Sequence, residues 1–223
     1  MKKLIIIILT LFPFTIQAQE SIKVTYEATY SYDENQSGIP FPGIFLSTIY
    51  ELTVSGNLSE FRYIEKPLPP KPEGGNSLVL LVSNDYLIDL NTKKYFTEME
   101  TFDKSYLVSD DLPKADWILT GEEKEIAGEP VKKAVFKMEN GNEITAWYAP
   151  GLIYRVGPDL YSGLPGVILQ LDIRSEIHGG AIMGTHFKAK KIDFLKDKVE
   201  IKLPEGKTIK KEEASQIRNQ NNS

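Results

Sequence analysis

The 223-residue chain has no cysteine, which excludes disulfides, lipoprotein acylation and any thiol chemistry of its own. Histidine is nearly as scarce. His178 and His186 are the only two, so an imidazole-dependent metal or Ser-His-Asp site has to use one of them. If Gly179-Gly180 forms a two-residue hairpin turn, His178 pairs with Ala181 and His186 lies five residues up the strand. An odd spacing puts the two rings on opposite faces, roughly 17 Å apart, where they cannot share an ion. Each then reads as a surface or strand-lining histidine. The chain also lacks a G-x-S-x-G elbow, an H-E-x-x-H pair, a Walker loop and a G-x-G-x-x-G turn. No cofactor, no metal and no catalytic residue is expected from its motifs. Two acidic doublets, Asp110-Asp111 and Glu122-Glu123, fit neither an acid/base pair, since neighbours in a strand face opposite ways, nor a calcium loop with its alternating oxygens and turn glycine. They read as solvated charge.

Long apolar runs are missing as well. The longest opens the chain, Leu4 to Ile16, behind Lys2 and Lys3 and ahead of Gln17-Ala18-Gln19. A spanning helix needs about 20 apolar residues, and Pro13 interrupts this run. The pattern is that of a signal peptide, residues 1–18, cleaved after Ala18. The expected product is exported, periplasmic or extracellular, with no transmembrane segment after cleavage. It would carry a net charge of −7 against −5 for the whole chain, which argues against nucleic acid as a partner. Charge is unevenly spread, with ten basic and six acidic side chains over 187–223. Such a tail either meets an anionic surface or guards a sheet edge with lysine.

What the sequence does have is strand periodicity. Ile22, Val24, Tyr26, Ala28, Tyr30 and Tyr32 alternate with polar residues, the period of a half-buried antiparallel strand. Further strands are expected at Ile44 to Val54, Leu58 to Glu65, Leu78 to Val82, Tyr86 to Leu90, Lys94 to Met99, Ala115 to Ile126, Val131 to Met138, Glu143 to Tyr148, Val167 to Glu176, Ala181 to Phe194 and Val199 to Leu203, with turn residues between them. Asn140-Gly141 marks a hairpin. Residues 67–76, with four prolines and two glycines, read as a surface loop. Only Lys210 to Asn219 reads as helix. The expectation is a mainly β fold: one β-rich domain over 19–210, a curved antiparallel sheet or open half-barrel, with a short C-terminal helix and polar tail over 211–223. The half-barrel is an analogy to envelope lipid and lipoprotein carriers.

One segment differs from the rest. Trp147 to Leu171 reads W-Y-A-P-G-L-I-Y-R-V-G-P-D-L-Y-S-G-L-P-G-V-I-L-Q-L, dense in glycine, proline and aromatics. Gly163-Leu164-Pro165-Gly166-Val167-Ile168 resembles the signature string of the GLPGLI family, with Val167 where that string has leucine. Trp117-Ile118-Leu119, Ile126-Ala127-Gly128, Lys133-Ala134, Ala146-Trp147-Tyr148-Ala149-Pro150 and Gly157-Pro158 stand in similar order and spacing, so the resemblance covers residues 115 to 175. It departs at Val131-Lys132-Lys133-Ala134, where such proteins often carry a cysteine before the Lys-Ala pair. The resemblance implies an exported protein of the Bacteroidota, and the family supplies no catalytic residues to carry over.

Pro165-Gly166 fits the central positions of a type II turn, proline fixing φ and glycine accepting φ above zero. Residues 150–166 should then fold as a compact loop feeding the buried run Val167 to Leu169. Two roles fit that loop. It either shapes the fold, or Trp147, Tyr148, Tyr154 and Tyr161 line a groove beneath it. The candidate ligand- or partner-binding positions are therefore Trp147, Tyr148, Pro150, Tyr154, Gly157, Pro158, Tyr161, Gly163, Leu164, Pro165 and Gly166. The leading expectation is a non-catalytic envelope module binding an apolar ligand or an envelope protein. A carboxylate-based glycan hydrolase and a structural or adhesive surface protein are the alternatives.

Overall fold

The computed structural model describes residues 21–33, 47–65, 84–101, 104–138, 142–176 and 182–221. The expected strand Leu78 to Val82, the proline-rich loop 67–76, the Asn140-Gly141 turn and His178 lie outside these residues.

Twelve strands form one sheet: β1 (Ser21–Asp33), β2 (Thr48–Ser55), β3 (Leu58–Glu65), β4 (Tyr86–Asp89), β5 (Lys94–Glu100), β6 (Ser105–Asp111), β7 (Ile118–Ile126), β8 (Glu129–Lys137), β9 (Glu143–Ala149), β10 (Val167–Glu176), β11 (Ile182–Leu195) and β12 (Thr208–Ile209). Their order across the sheet is β12-β6-β5-β4-β3-β2-β1-β11-β10-β9-β8-β7. Every pairing is antiparallel except that of β12 with β6. The sheet is open, with β7 and β12 at its two ends. A single helix, α1 (Lys211–Asn221), closes the described chain.

The period of two in β1 does what a half-buried strand requires. Ile22, Val24, Tyr26 and Ala28 are fully buried, and their neighbours Lys23, Thr25 and Glu27 look the other way. Cross-strand partners bring Tyr50, Phe61 and Phe187 to the same inner face. Tyr50 and Phe61 stack at 5.0 Å between ring centroids, and Phe187 meets both edge-on at 5.7 and 5.9 Å. The Tyr26 hydroxyl donates to the Ile168 carbonyl at 2.7 Å, and burial pushes its pKa far above the ordinary tyrosine range. A second, smaller cluster packs Ala214 and Ile217 of α1 on Met99, Val108 and Tyr106.

Three expectations need correction. Val199 to Leu203 alternates like a strand but is an irregular segment leading from β11 to β12. It cannot pair with β11, the strand it follows, because β1 and β10 already occupy both sides of β11. Ser105–Asp111, not expected as a strand, is β6. The register of β10 against β11 also differs. Glu176 lies opposite Ile182, whereas a two-residue turn at 179–180 would set residue 177 opposite 182.

Candidate functional site

The loop 150–166 is tied down from several sides. Leu152 N–H donates to the Ala149 carbonyl at 3.1 Å, Gly163 N–H to Arg155 at 3.2 Å, and Ile168 N–H to Val156 at 2.9 Å. The Trp117 indole N–H reaches the Ser162 carbonyl at 2.9 Å. Leu152, Tyr154, Val156 and Leu164 enter the core beside β9 and β10. Further along, Asp159 stands at φ 57°, and Leu160 lies near Ala214 and Arg218 of α1. The loop therefore crosses the inner face from β9 to the helix. At Tyr86, and at the loop's own Tyr161, burial first and then the Asp159 carboxylate push both phenols up to about 12.

Two of its glycines, Gly157 and Gly166, are packing features, while Gly163 stands in open space at φ 96°. The expected type II turn at Pro165-Gly166 is not formed. Gly166 N–H donates to the Leu164 carbonyl at 2.8 Å, which is a three-residue turn centred on Pro165. Gly166 is needed because Ala149 runs against it: a Cβ there would collide with the Ala149 carbonyl oxygen and stand 2.6 Å from its carbon. A Cβ on Gly157 would likewise stand 2.7 Å from Cβ of Ile168.

The eleven candidate positions do not share one groove. Tyr148 is buried and Trp147 half-buried, on opposite faces of β9 as strand geometry demands. Pro150, Gly163 and Pro165 are exposed, and Gly157, Pro158, Leu164 and Gly166 are buried. Tyr161 packs on Trp117 with ring centroids 6.4 Å apart.

Tyr154 and Gly163 do border a cavity of about 1150 Å³ with Leu90, Leu112, Ile153 and Ala115. It is framed by the β2–β3 turn at Gly56-Asn57, the β4–β5 turn and residues 111–115. Ile153 is 73% exposed there, more than any other large apolar side chain among the described residues. Four cations, Lys93, Lys114, Arg155 and Lys198, face one acid, Asp111, and none of the four has an ion-pair partner among the described residues. A separate cleft of about 520 Å³ between β3–β5 and Lys202-Pro204 holds Glu60, Asp85, Glu98 and Glu100. Glu60 is paired with Arg62 at 3.4 Å, and Asp85 accepts Tyr63 N–H at 2.9 Å.

The two acidic doublets have structural partners. Glu122 and Glu123 pair with Lys133 and Lys132 across β7 and β8 at 2.9 and 3.1 Å. Asp110 accepts the N–H of Asp111 and of Lys211 at 2.8 and 3.2 Å. Among the described residues no three His, Asp or Glu side chains gather to hold a metal.

Sequence reasoning missed one constellation altogether. On the outer face of β1, β10 and β11, His186 Nε2 stands 2.9 Å from Ser31 Oγ, and its Nδ1 2.9 Å from Asp172 Oδ1. The other Asp172 oxygen accepts from Gln170 Nε2 at 2.7 Å, and Gln170 Oε1 accepts from Lys124 Nζ at 2.8 Å. Lys124 lies 3.8 Å above the Trp147 ring. Partial burial, aided by nearby Lys188 and Lys133, lowers the Lys124 pKa against the pull of Asp172. No spacing could have revealed this chain of contacts, since Ser31 and His186 are 155 residues apart. Only the β1–β11 register, Thr29 opposite His186, joins them.

This is the architecture of a mainly β protein with a single open sheet and one terminal helix. The family model described as "Protein of unknown function (Porph_ging)" matches residues 110–170, which include the loop. No curated protein matches significantly. Two solved structures of PNGF-II, in C2 and P21 space groups, are similar in fold, with TM-scores of 0.51 and 0.50 at 17% and 16% identity. They cover 82% and 86% of this chain, which spans only 28% and 31% of theirs. A LolA superfamily protein from Nitrosomonas europaea matches over 84% of this chain and 89% of its own at 11% identity and a TM-score of 0.30, too slight a likeness to build on. Among the described residues no helix is long and apolar enough to cross a membrane.

Proposed function

We propose that the protein is an exported binding module whose ligand is an amphiphile, apolar over most of its length with an anionic group, held in the cavity beside the 150–166 loop. The observation that carries this reading is the cavity's lining. Apolar Leu90, Leu112 and Ile153 stand next to four cations with a single acid among them. Ligand sites are mostly apolar with a few placed polar groups, and about 1150 Å³ suits a chain-bearing ligand better than a single ring. The cavity has no histidine and one carboxylate, so binding is the role its side chains support. The family-like loop shapes one wall through Ile153, Tyr154, Arg155, Ser162 and Gly163, which gives that segment a part in both fold and recognition. The export signal read at residues 1–18 would place this activity in the cell envelope, and an envelope protein presenting an acidic, apolar segment is the corresponding macromolecular partner.

Native mass spectrometry of protein purified from its own host, followed by titration with a fluorescent fatty acid, tests the proposal. A co-purifying anionic lipid is expected, and fatty-acid binding should weaken at least tenfold in an Ile153→Asp, Arg155→Glu double variant. Bare protein that also fails to bind the probe would overturn it.

A further inference from the structure

The outer-face cluster lies near the far end of β1 from the cavity. Its chemistry follows from proton accounting. An ionised carboxylate only accepts, so the Nδ1 of His186 facing Asp172 carries the imidazole proton. Nε2 of a neutral ring is then an acceptor, and the Ser31 hydroxyl, 2.9 Å away, must donate to it. This is the ground state of a base-activated serine, with the base oriented by a third group. Gln170, hydrogen-bonded to the second Asp172 oxygen, fixes that third group in turn.

Two further placements bear on function beyond packing. Ser31 is exposed, and the residue opposite it on β11 is Gly184. A Cβ at Gly184 would collide with Ser31 Oγ and stand 2.9 Å from His186 Nε2, so the glycine keeps the serine and imidazole within reach and leaves open a gap one side chain wide. On the other side of Gly184, in the same row, stands Arg174 of β10. Two strand spacings, about 9.6 Å, separate the Ser31 and Arg174 backbones, with no side chain between them. An arginine spans most of that distance and can face a developing negative charge.

We propose that Ser31, His186 and Asp172 form a nucleophilic acyl-transfer site for short-chain carboxylic esters, with Arg174 as the cation facing the oxyanion. Ser31 Oγ attacks the ester carbonyl carbon as its proton passes to His186 Nε2. The carbonyl electron pair moves to oxygen opposite Arg174. When it returns, the bond to the alcohol oxygen breaks and that oxygen takes the proton from Nε2. Water then attacks the acyl-serine, giving its proton to Nε2. The carboxylic acid leaves, and Ser31 recovers the proton. The net reaction is ester plus water to acid plus alcohol, with no further reagent. Because the site is an open sheet face, the small acyl group fits an alcohol that is part of a larger, extended molecule.

The test uses a fluorophosphonate probe with peptide mapping, and p-nitrophenyl acetate hydrolysis, on the whole protein. Phosphonylation is expected at Ser31, and it should vanish in His186→Gln. Hydrolysis should fall at least about 100-fold in Ser31→Ala and in Asp172→Asn, the scale of losing a general base, with melting temperatures close to the parent's. Arg174→Gln should lower kcat with little change in KM. An unlabelled Ser31, together with equal hydrolysis by parent and Ser31→Ala, would overturn the proposal and leave the cluster as a cross-strand polar network.

Discussion

The two faces of β1 and β11 show how one pair of strands divides its labour. On the inner face Tyr26, Ala28 and Phe187 are buried to the last atom, where Phe61 and Tyr50 surround them. On the outer face, one residue away at each step, stand Thr29, Ser31, Gly184 and His186, half-buried or exposed except for the glycine. Inner positions are held by volume, because interiors pack as densely as crystals of small molecules. Outer positions are held by hydrogen bonds that water can compete for. Substitutions on the inner side should therefore cost stability, and those on the outer side should cost chemistry.

The sharpest break of that rule lies beneath the loop. Gly166→Val places a Cβ against the Ala149 carbonyl, a backbone atom that can move only if β9 and β10 separate. We expect a loss of about 4 kcal/mol or more, seen as failure to fold or a collapsed denaturation midpoint. A parent-like melt would show that the loop can lift from β9. Next in size is Phe61→Ala. Its ring is fully buried and touches Tyr26, Tyr50 and Phe187, so about 3 to 5 kcal/mol should be lost in urea denaturation. A change under about 1 kcal/mol would mean that the cluster repacks, and the contrast between faces would weaken.

The same contrast explains what can be read from the sequence. β1, β3 and β10 are legible because one buried face imposes a period of two. Even β10 breaks that period at its start. The bulge between Ile168 and Gln170 and the loop above it bury Val167, Ile168 and Leu169 in succession, which is why that stretch reads as a continuous apolar run. β6 is illegible for a related reason. Its buried residues, Val108 and Ser109, are adjacent and one is polar, and the burial of Val108 comes from α1 packing on it. Glycine and proline in the loop mark a special segment correctly, but they do not reveal whether a glycine serves a turn or a close approach. Gly166 serves the approach. The outer-face cluster is least legible of all. Its members lie on β1, β10 and β11, and polar residues on a solvated face follow no rule until the register is known.

The smallest expected effect concerns a surface charge that anchors the helix. Helix α1 begins after Lys210, whose carbonyl accepts the first helical bond from Ala214 at 3.0 Å. Lysine is a poor residue for that position, where Ser, Thr, Asp or Asn would accept a free N–H of the first turn. Asp110 supplies the missing acceptor through space, its carboxylate taking the Lys211 N–H at 3.2 Å while Lys210 Nζ lies 3.3 Å from the other oxygen. The N–H of Asp111, then that of Lys211 and the Lys210 ammonium, hold the Asp110 carboxyl below the usual aspartate range. A carboxylate so lowered contributes stability above its unfolded value near 3.8 and loses it as pH falls through the lower folded value. Asp110→Ala should therefore cost about 1 kcal/mol at neutral pH, the usual worth of a helix cap. The difference from the parent should shrink below about pH 3, and Asp110→Asn, which keeps an acceptor without the charge, should fall between the two. Denaturation midpoints across pH 2 to 7 measure this directly, and a pH-independent difference would show that the side chain's packing, and not its charge, anchors the helix.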